Sequence, residues 1–154
     1  MLGLLDSKAG GQAPNLLLDE LRAVFDIEPL FGLGTRGSAT DTLASGGLAV
    51  GVNAVPAGAN TDCPPGVLRH VRYLAANTDT TPAANIKFAV GWFVERVNRF
   101  VPHGNPTDAA TLRAVSGGAC DFWQQPGIRP AVYVMDAAGA VNLSVTTVFE
   151  SSSY

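Results

Sequence analysis

The stretch PGVLRHVRYLA at residues 65–75, followed after a polar loop by IKFAVGWFVE at 86–95, decides the fold of this chain. A similar arrangement returns later, where PGIRPAVYVM at 126–135 is followed by VNLSVTTVFE at 141–150. Each unit opens on a Pro-Gly turn signal and contains two runs rich in β-branched and aromatic residues, which favour strands. We predict that each unit is a β-hairpin of an antiparallel β-sandwich. The two Pro-Gly dipeptides either occupy equivalent corners of the sandwich or are two unrelated common turns.

The second strand of each unit alternates clearly between apolar and other residues. In the first unit the shared apolar face consists of Ile86, Phe88, Val90, Trp92 and Val94. In the second unit the corresponding face consists of Val141, Leu143, Val145, Thr147 and Phe149. Alternation with a period of two is typical of antiparallel strands that bury one face, so we expect both faces to line the core. The polar loop from Asn77 to Asn85 is long for a hairpin and predicts an exposed tip.

The remaining segments indicate how the chain is organised. Residues 1–14 are Gly-rich and predict an extended arm, and residues 15–28 predict an amphipathic helix. The apolar stripe of this helix follows the spacing i, i+4, i+7, i+8 and consists of Leu17, Leu21, Val24 and Phe25. Because a helix of this length is marginal in isolation, the stripe needs a surface to pack against. Residues 29–150 are expected to form the sandwich domain, and residues 151–154 a polar tail.

Composition limits the classes of function. The 154 residues are 47% hydrophobic and only 15% charged, against about 25% charged in an average globular protein. So few charges favour burial of part of the surface against another subunit. The net charge is −3 and the basic residues are scattered, which argues against a nucleic-acid partner. No apolar run has the length of a membrane span or of a signal peptide, so we expect no membrane partner.

The residues with catalytic or metal-binding potential do not form a motif. His103, Asp108, Cys120 and Asp121 lack the spacing of a zinc site, and no serine lies in a G-x-S-x-G elbow. A Cys120–His103 pair remains as the one nucleophilic option. Cys63 and Cys120 are either two separate thiols or a disulfide. We predict no catalytic residue, no metal site and no cofactor, and we expect that the protein is not an enzyme.

Trp123 is the aromatic residue best suited to an exposed contact. It lies in DFWQQP at 121–126, beside polar groups, whereas Trp92 belongs to the apolar alternation and is expected in the core. An exposed indole can stack on a sugar ring or pack against another subunit. The predicted partner-binding residues are therefore Trp123 and the helical stripe of Leu17, Leu21, Val24 and Phe25.

Three stretches in the later part of the chain form one combination: LRHVRYLAANTDTTPAANIKFAVGWFVE at 68–95, FWQQPGIRPAVYVM at 122–135 and VNLSVTTVFES at 141–151. A strand with a polar tip is followed by a Pro-Gly turn, a last hairpin and a final strand that ends in an acid. This combination resembles small β-sandwich structural proteins of tailed bacteriophages, of the capsid decoration (cement) or tail type. The resemblance covers roughly residues 64–150. It implies a jelly-roll-like sandwich that binds other virion proteins and has no catalytic residue.

The leading hypothesis is a bacteriophage virion structural protein, a capsid decoration or cement protein that binds and stabilises neighbouring shell subunits. The alternatives are a tail or head–tail connector component, a carbohydrate-binding β-sandwich module that uses Trp123, and a small hydrolase that uses Cys120 or His103. The expected partners are major capsid or tail subunits and further copies of the chain, for example in a trimer. The expected location is the virion, assembled in the host cytoplasm.

Overall fold

The computed structural model describes residues 34–79, 86–109, 113–137 and 141–154. The chain divides into two compact units, Met1–Gly34 and Thr35–Tyr154, and all described residues except Gly34 belong to the second. The predicted arm and helix, with Leu17, Leu21, Val24 and Phe25, lie outside the described residues. Most of the predicted tip between Asn77 and Asn85 also lies outside them.

Within the described part, the second unit consists of nine strands in two antiparallel sheets. The strands are β1 Thr35–Leu43, β2 Gly51–Ala54, β3 Val67–Thr78, β4 Ile86–Val94, β5 Arg99–Pro102, β6 Thr107–Ala109, β7 Val115–Gln124, β8 Ile128–Ala137 and β9 Leu143–Ser153. Sheet A has the order β1-β9-β3-β7, and sheet B has the order β2-β8-β4-β5, with β6 also paired to β4. For the described residues, the prediction of a β domain with antiparallel sheets is confirmed. No helix among the described residues is long and apolar enough to cross a membrane.

The two sequence units form the predicted strands but not the predicted hairpins. β3 and β4 lie in different sheets, and so do β8 and β9. Instead β3 pairs with β9, with Val67 opposite Ser153, and β4 pairs with β8, with Val94 opposite Ile128. The predicted pairing was therefore wrong, because alternation identifies a strand and its buried face but not the strand beside it. We call this arrangement the crossed pairing.

The two Pro-Gly dipeptides both form type II turns, which supports the first of the two alternatives that the sequence left open. In each turn the residue after the glycine donates its N–H to the carbonyl of the residue before the proline, at 3.2 Å in the first turn and 3.0 Å in the second. Gly66 and Gly127 have φ of 75° and 84°, which suits glycine at the third position of this turn. The Gly66 carbonyl accepts the Tyr154 N–H, and the Gly127 carbonyl accepts the Glu95 N–H. Each turn thus starts one strand and holds the end of a strand from the other unit.

One apolar core joins the two sheets. Its large buried side chains include Leu74 and Leu143 of sheet A and Phe88 of sheet B. Trp92 of β4 stacks on Phe122 of β7, with ring centroids 4.3 Å apart, so an aromatic contact links the sheets directly. The predicted core position of Trp92 is confirmed, and the predicted inward face of β9 is buried along its length.

A β-bulge explains the mixed faces of β3. The register with β9 shifts between Val71 and Tyr73, which leaves Arg72 as an extra residue. The extra residue reverses the alternation, so Val71 and Leu74 are both buried while Tyr73 is partly exposed. Without the bulge, strict alternation would place Val71 and Leu74 on opposite faces.

The polar end of the chain is a strand and not a tail. Ser151, Ser152 and Ser153 continue β9 and pair with the first residues of β3, from Val67 onward. Ladder hydrogen bonds use backbone groups, so polar side chains do not interrupt the strand. The strand ends where β3 begins, at the first Pro-Gly turn.

Replacement of Gly66 by alanine tests the turn geometry. Gly66→Ala should lower the free energy of unfolding by about 1 kcal/mol, because a residue with a Cβ is strained at positive φ. A Cβ there would meet nothing closer than the Tyr154 carbonyl oxygen at 3.9 Å, so the loss would reflect the backbone alone. Urea denaturation measures it, with Gly46→Ala as the control, since a Cβ at Gly46 meets nothing within 4 Å. Equal stability of the two variants would contradict the turn.

Candidate interaction site

A row of aromatic and charged side chains crosses the outer face of sheet A. The register places Trp123 of β7 opposite His70 of β3, and His70 opposite Glu150 of β9. Glu150 in turn lies opposite Arg36 of β1, so the row spans all four strands. Two further side chains contact the row: Asp121 binds His70, and Arg72 lies near Glu150. We call these six residues the His70–Trp123 cluster, which consists of Arg36, His70, Arg72, Asp121, Trp123 and Glu150.

The centre of the cluster is a stack of two rings. The imidazole of His70 and the indole of Trp123 are nearly parallel, at 8°, with centroids 4.2 Å apart. His70 is buried, whereas Trp123 is 38% exposed. The Nε2–H of His70 donates to Oδ1 of Asp121, which fixes the imidazole beneath the indole. This hydrogen bond, together with the charges of His70 and Arg72, holds the pKa of Asp121 below its ordinary value of 3.8.

The other half of the cluster is ionic. Oε1 of Glu150 lies 3.5 Å from Nε of Arg36, and Oε2 lies 4.0 Å from a terminal nitrogen of Arg72. Because both arginines are largely exposed and the distances are long, these pairs add little stability. Their effect is to hold the mostly buried carboxylate of Glu150 beside His70. An open cavity of about 200 Å³ lies here, lined by Arg36, Arg72, Val148, Phe149 and Glu150.

The outer face of sheet B is different in character. Phe100 of β5 covers Gly91 of β4 so closely that a Cβ on Gly91 would lie 2.7 Å from the ring. Tyr133 of β8 lies beside Phe100, with ring centroids 5.7 Å apart, and is 38% exposed. The register adds further apolar neighbours on this face. We call the group the Phe100–Tyr133 patch, which consists of Val52, Ala89, Gly91, Phe93, Phe100, Pro102, Ala131 and Tyr133.

Charged residues lie at the ends of this second face. Arg129 lies opposite Phe93, and Lys87 lies at the other end of β4. The guanidinium of Arg129 is 2.6 Å from Oε1 of Glu95 and donates to the Val55 carbonyl, so its charge is already paired. The centre of the face therefore consists of uncharged side chains.

The cysteine and histidine residues considered for catalysis or metal binding do not form a recognisable catalytic or metal site among the described residues. Cys63 and Cys120 are free thiols, which decides the alternative that the sequence left open. The pKa of the Cys120 thiol is raised to about 11, mainly by burial and to a smaller extent by the negative charge of Asp121. Such a thiol stays protonated at neutral pH, the opposite of what a nucleophile needs. His103 lies 3.4 Å from the carbonyl of Gly118, and the described residues contain no group of three or more metal-ligating side chains.

The structure places one predicted partner-binding residue, Trp123, on the surface and brings together exposed aromatic side chains that sequence reasoning did not group. Trp123 is partly exposed on sheet A, and its binding of a partner stays a prediction. The ring beneath it, His70, was not foreseen, because it depends on the pairing of β3 with β7. The Phe100–Tyr133 patch was also missed, although Phe93 and Tyr133 occupy outward positions of strands whose other face is buried. Outward aromatic residues of this kind are the signal that reveals such a surface.

Comparisons with known proteins find distant similarity only. No family model and no curated protein matches the chain. A chain of the acidic stable capsid structure of Helicobacter pylori bacteriophage KHP30 is similar at 13% identity and a TM-score of 0.49, over 78% of this chain and 94% of that one. The globular domain of zebrafish complement 1qA protein is similar at 11% identity and a TM-score of 0.39, over 75% and 95%.

The hydrogen bond between Asp121 and His70 predicts a dependence of stability on pH. A carboxyl group whose pKa is lowered in the folded state stabilises the fold above its unfolded pKa, and this contribution is lost as the pH falls through the folded value. Asp121→Asn should therefore lower the free energy of unfolding at neutral pH, and the difference from wild type should shrink below pH 3.8. Urea denaturation across this range measures it, with Asp108→Asn on sheet B as the control. A difference that stays constant as the pH falls below 3.8 would contradict the bond.

Proposed function

We propose that this chain is a structural protein of a bacteriophage particle and acts as a capsid decoration or cement protein. The observation behind the proposed binding role is the Phe100–Tyr133 patch, an aromatic surface with an uncharged centre. Depletion of charge at the centre, with tyrosine and phenylalanine present, is typical of surfaces that bind other proteins. The low content of charged residues, 15%, agrees with a chain that is partly covered in its working state.

The strand order is compatible with a particle component. β5 and β6 both pair with the same edge of β4, so they act as one interrupted strand. Eight strands then form two facing four-stranded sheets, β1-β9-β3-β7 and β2-β8-β4-β5, and we take this order as that of a jelly roll. Jelly rolls occur in viral capsid proteins and in lectin domains, among others. Because a fold hosts many functions, the patch and not the fold decides between them.

The size of the outer face of sheet B suits a decoration role. β4 has nine residues, so at about 3.3 Å per residue it is about 30 Å long. The strands β2, β4, β5, β6 and β8 have 4, 9, 4, 3 and 10 residues, so at a spacing of about 4.8 Å their common outer face is roughly 480 Å². A standard interface buries about 800 Å² per partner, so the adjoining loops also have to contribute to the contact. In our proposal the face lies on shell subunits and holds neighbours together through one rigid sheet.

Two variants of the proposal differ in location and stoichiometry. In one variant, copies of the chain join through the patch into a closed ring such as a trimer. In the other, the chain is a tail or connector component and binds its neighbours through the same patch. Copy number separates these variants. A ratio near one chain per major shell subunit favours decoration, and a few chains per particle favour the tail or the connector.

A charge at the centre of the patch tests the proposed interface. Tyr133→Asp should weaken binding to particles at least tenfold, because a carboxylate buried without a partner is strongly unfavourable. Co-sedimentation with purified particles of the phage that encodes the chain, prepared without it, measures binding. Ser38→Asp is the matched control, since it adds the same charge to the outer face of sheet A.

Thermal melting followed by circular dichroism confirms that both variants are folded. Wild-type binding by Tyr133→Asp would exclude the patch as the interface. Failure of the wild-type chain to bind particles at all would overturn the proposed function itself.

A further inference from the structure

Among the described residues, strand β7 is an outer strand of sheet A and carries a fixed aromatic plane. One face of the Trp123 indole is covered by His70, with 8° between the two rings. Strand β7 is the last strand of sheet A in the described structure, so the opposite face of the indole points away from β3 along that edge. The hydrogen bond from His70 to Asp121 holds the supporting ring in place. The plane is therefore organised before any ligand arrives, which lowers the entropy lost on binding.

Hydrogen-bonding groups lie beside this plane. Asp121 is two residues before Trp123 on the same strand, and its side chain is 77% exposed. Arg72 lies at the bulge of β3, close enough for its charge to act on Asp121, and its side chain is 49% exposed. A carboxylate offers acceptors and a guanidinium offers donors, both in fixed planar geometry.

We propose that the His70–Trp123 cluster binds a carbohydrate, with a pyranose ring stacked on the open face of Trp123. A pyranose has C–H groups on its faces and hydroxyl groups around its rim. The C–H groups suit the negative face of the indole. The hydroxyl groups both donate and accept, so Asp121 and Arg72 can bond to them. The site is separate from the Phe100–Tyr133 patch and does not depend on the particle role.

The surroundings of Trp123 favour a sugar over a protein partner. Residues that dominate protein interfaces lie near the centre of a patch, in pockets from which water is excluded. Trp123 instead lies on an edge strand, with charged side chains around the cluster. The Phe100–Tyr133 patch shows the contrasting pattern, with uncharged side chains at its centre. Sheet A therefore has the surface suited to a hydrated ligand.

A nucleic acid fits the cluster less well than a sugar. Bases also stack on aromatic planes, but single-stranded nucleic acid needs a basic groove for its phosphates. Here the carboxylates of Asp121 and Glu150 lie in the same cluster as the arginines, and the net charge of the chain is −3. The neutral hydroxyl groups of a sugar meet no such repulsion.

Titration of the full chain with defined oligosaccharides tests the proposal. The probes are maltohexaose, cellohexaose, chitohexaose and laminarihexaose, with adenosine monophosphate as the nucleobase probe. At least one hexasaccharide should change the tryptophan fluorescence in a saturable manner. Trp123→Ala should weaken that binding at least tenfold, which corresponds to about 1.4 kcal/mol. Tyr133→Ala is the matched control, since Tyr133 has the same 38% exposure as Trp123, and it should bind the sugar as wild type does.

A second variant keeps the test decisive if Trp123→Ala does not fold. Asp121→Ala leaves the indole in place and should also weaken sugar binding severalfold, measured by saturation-transfer NMR on the ligand. The proposal is overturned if none of the four hexasaccharides binds, if adenosine monophosphate binds in their place, or if the folded variants bind sugar as tightly as wild type. Loss of particle binding in Trp123→Ala, without any sugar binding, would assign the cluster to a protein partner. The Tyr133→Asp variant tests the particle role separately.

Discussion

The crossed pairing of β3 with β9 and of β4 with β8 is the constraint on which the rest of the structure depends. Each sequence unit sends its two strands into different sheets, and each strand is completed by the other unit. Neither unit can therefore form its ladder alone. The type II turns at Gly66 and Gly127 tie the ends together, since each receives a backbone hydrogen bond from the end of the other unit. Pairing over such sequence distances makes folding slow compared with local hairpins.

The same pairing creates two outer faces with different chemistry. On sheet A it brings His70 between Trp123 and Glu150, three residues that are far apart in sequence. On sheet B it brings Tyr133 over the small residues of β4, where Phe100 already covers Gly91. One face thus presents charges around an aromatic plane, and the other presents an uncharged aromatic surface. We infer that one rigid body serves two kinds of contact, a protein on sheet B and a carbohydrate on sheet A.

Sequence reasoning found the strands with strong alternation and missed those whose inward positions are small. In β1 the inward residue Gly37 has no side chain because a Cβ would lie 2.9 Å from the Phe149 ring, so the packing itself removes the alternation. In β7, Gly117 has φ of 101° and a Cβ there would lie 2.3 Å from the Leu74 carbonyl oxygen. A Gly-Gly pair predicts a loop, although here it is a tightly packed strand.

The sequence predicted one residue of the candidate site, Trp123, but not its neighbours. Trp123 stands out because polar residues surround it in sequence, but its partner His70 follows from a register that alternation does not specify. To predict the aromatic patch on sheet B, one has to know both which residues of each strand face outward and which strands are neighbours. Local pattern therefore predicts which residues are buried, and the long-range pairing decides which exposed residues act together.

Hydroxyl-radical footprinting of the chain, free and bound to phage particles, is the most direct measurement of this division between the two faces. Mass spectrometry gives the oxidation rate of each aromatic side chain. The account predicts that Phe100 and Tyr133 react more slowly on the particle than in the free chain, while Trp123 keeps its rate. Protection of Trp123 with unchanged rates at Phe100 and Tyr133 would contradict it.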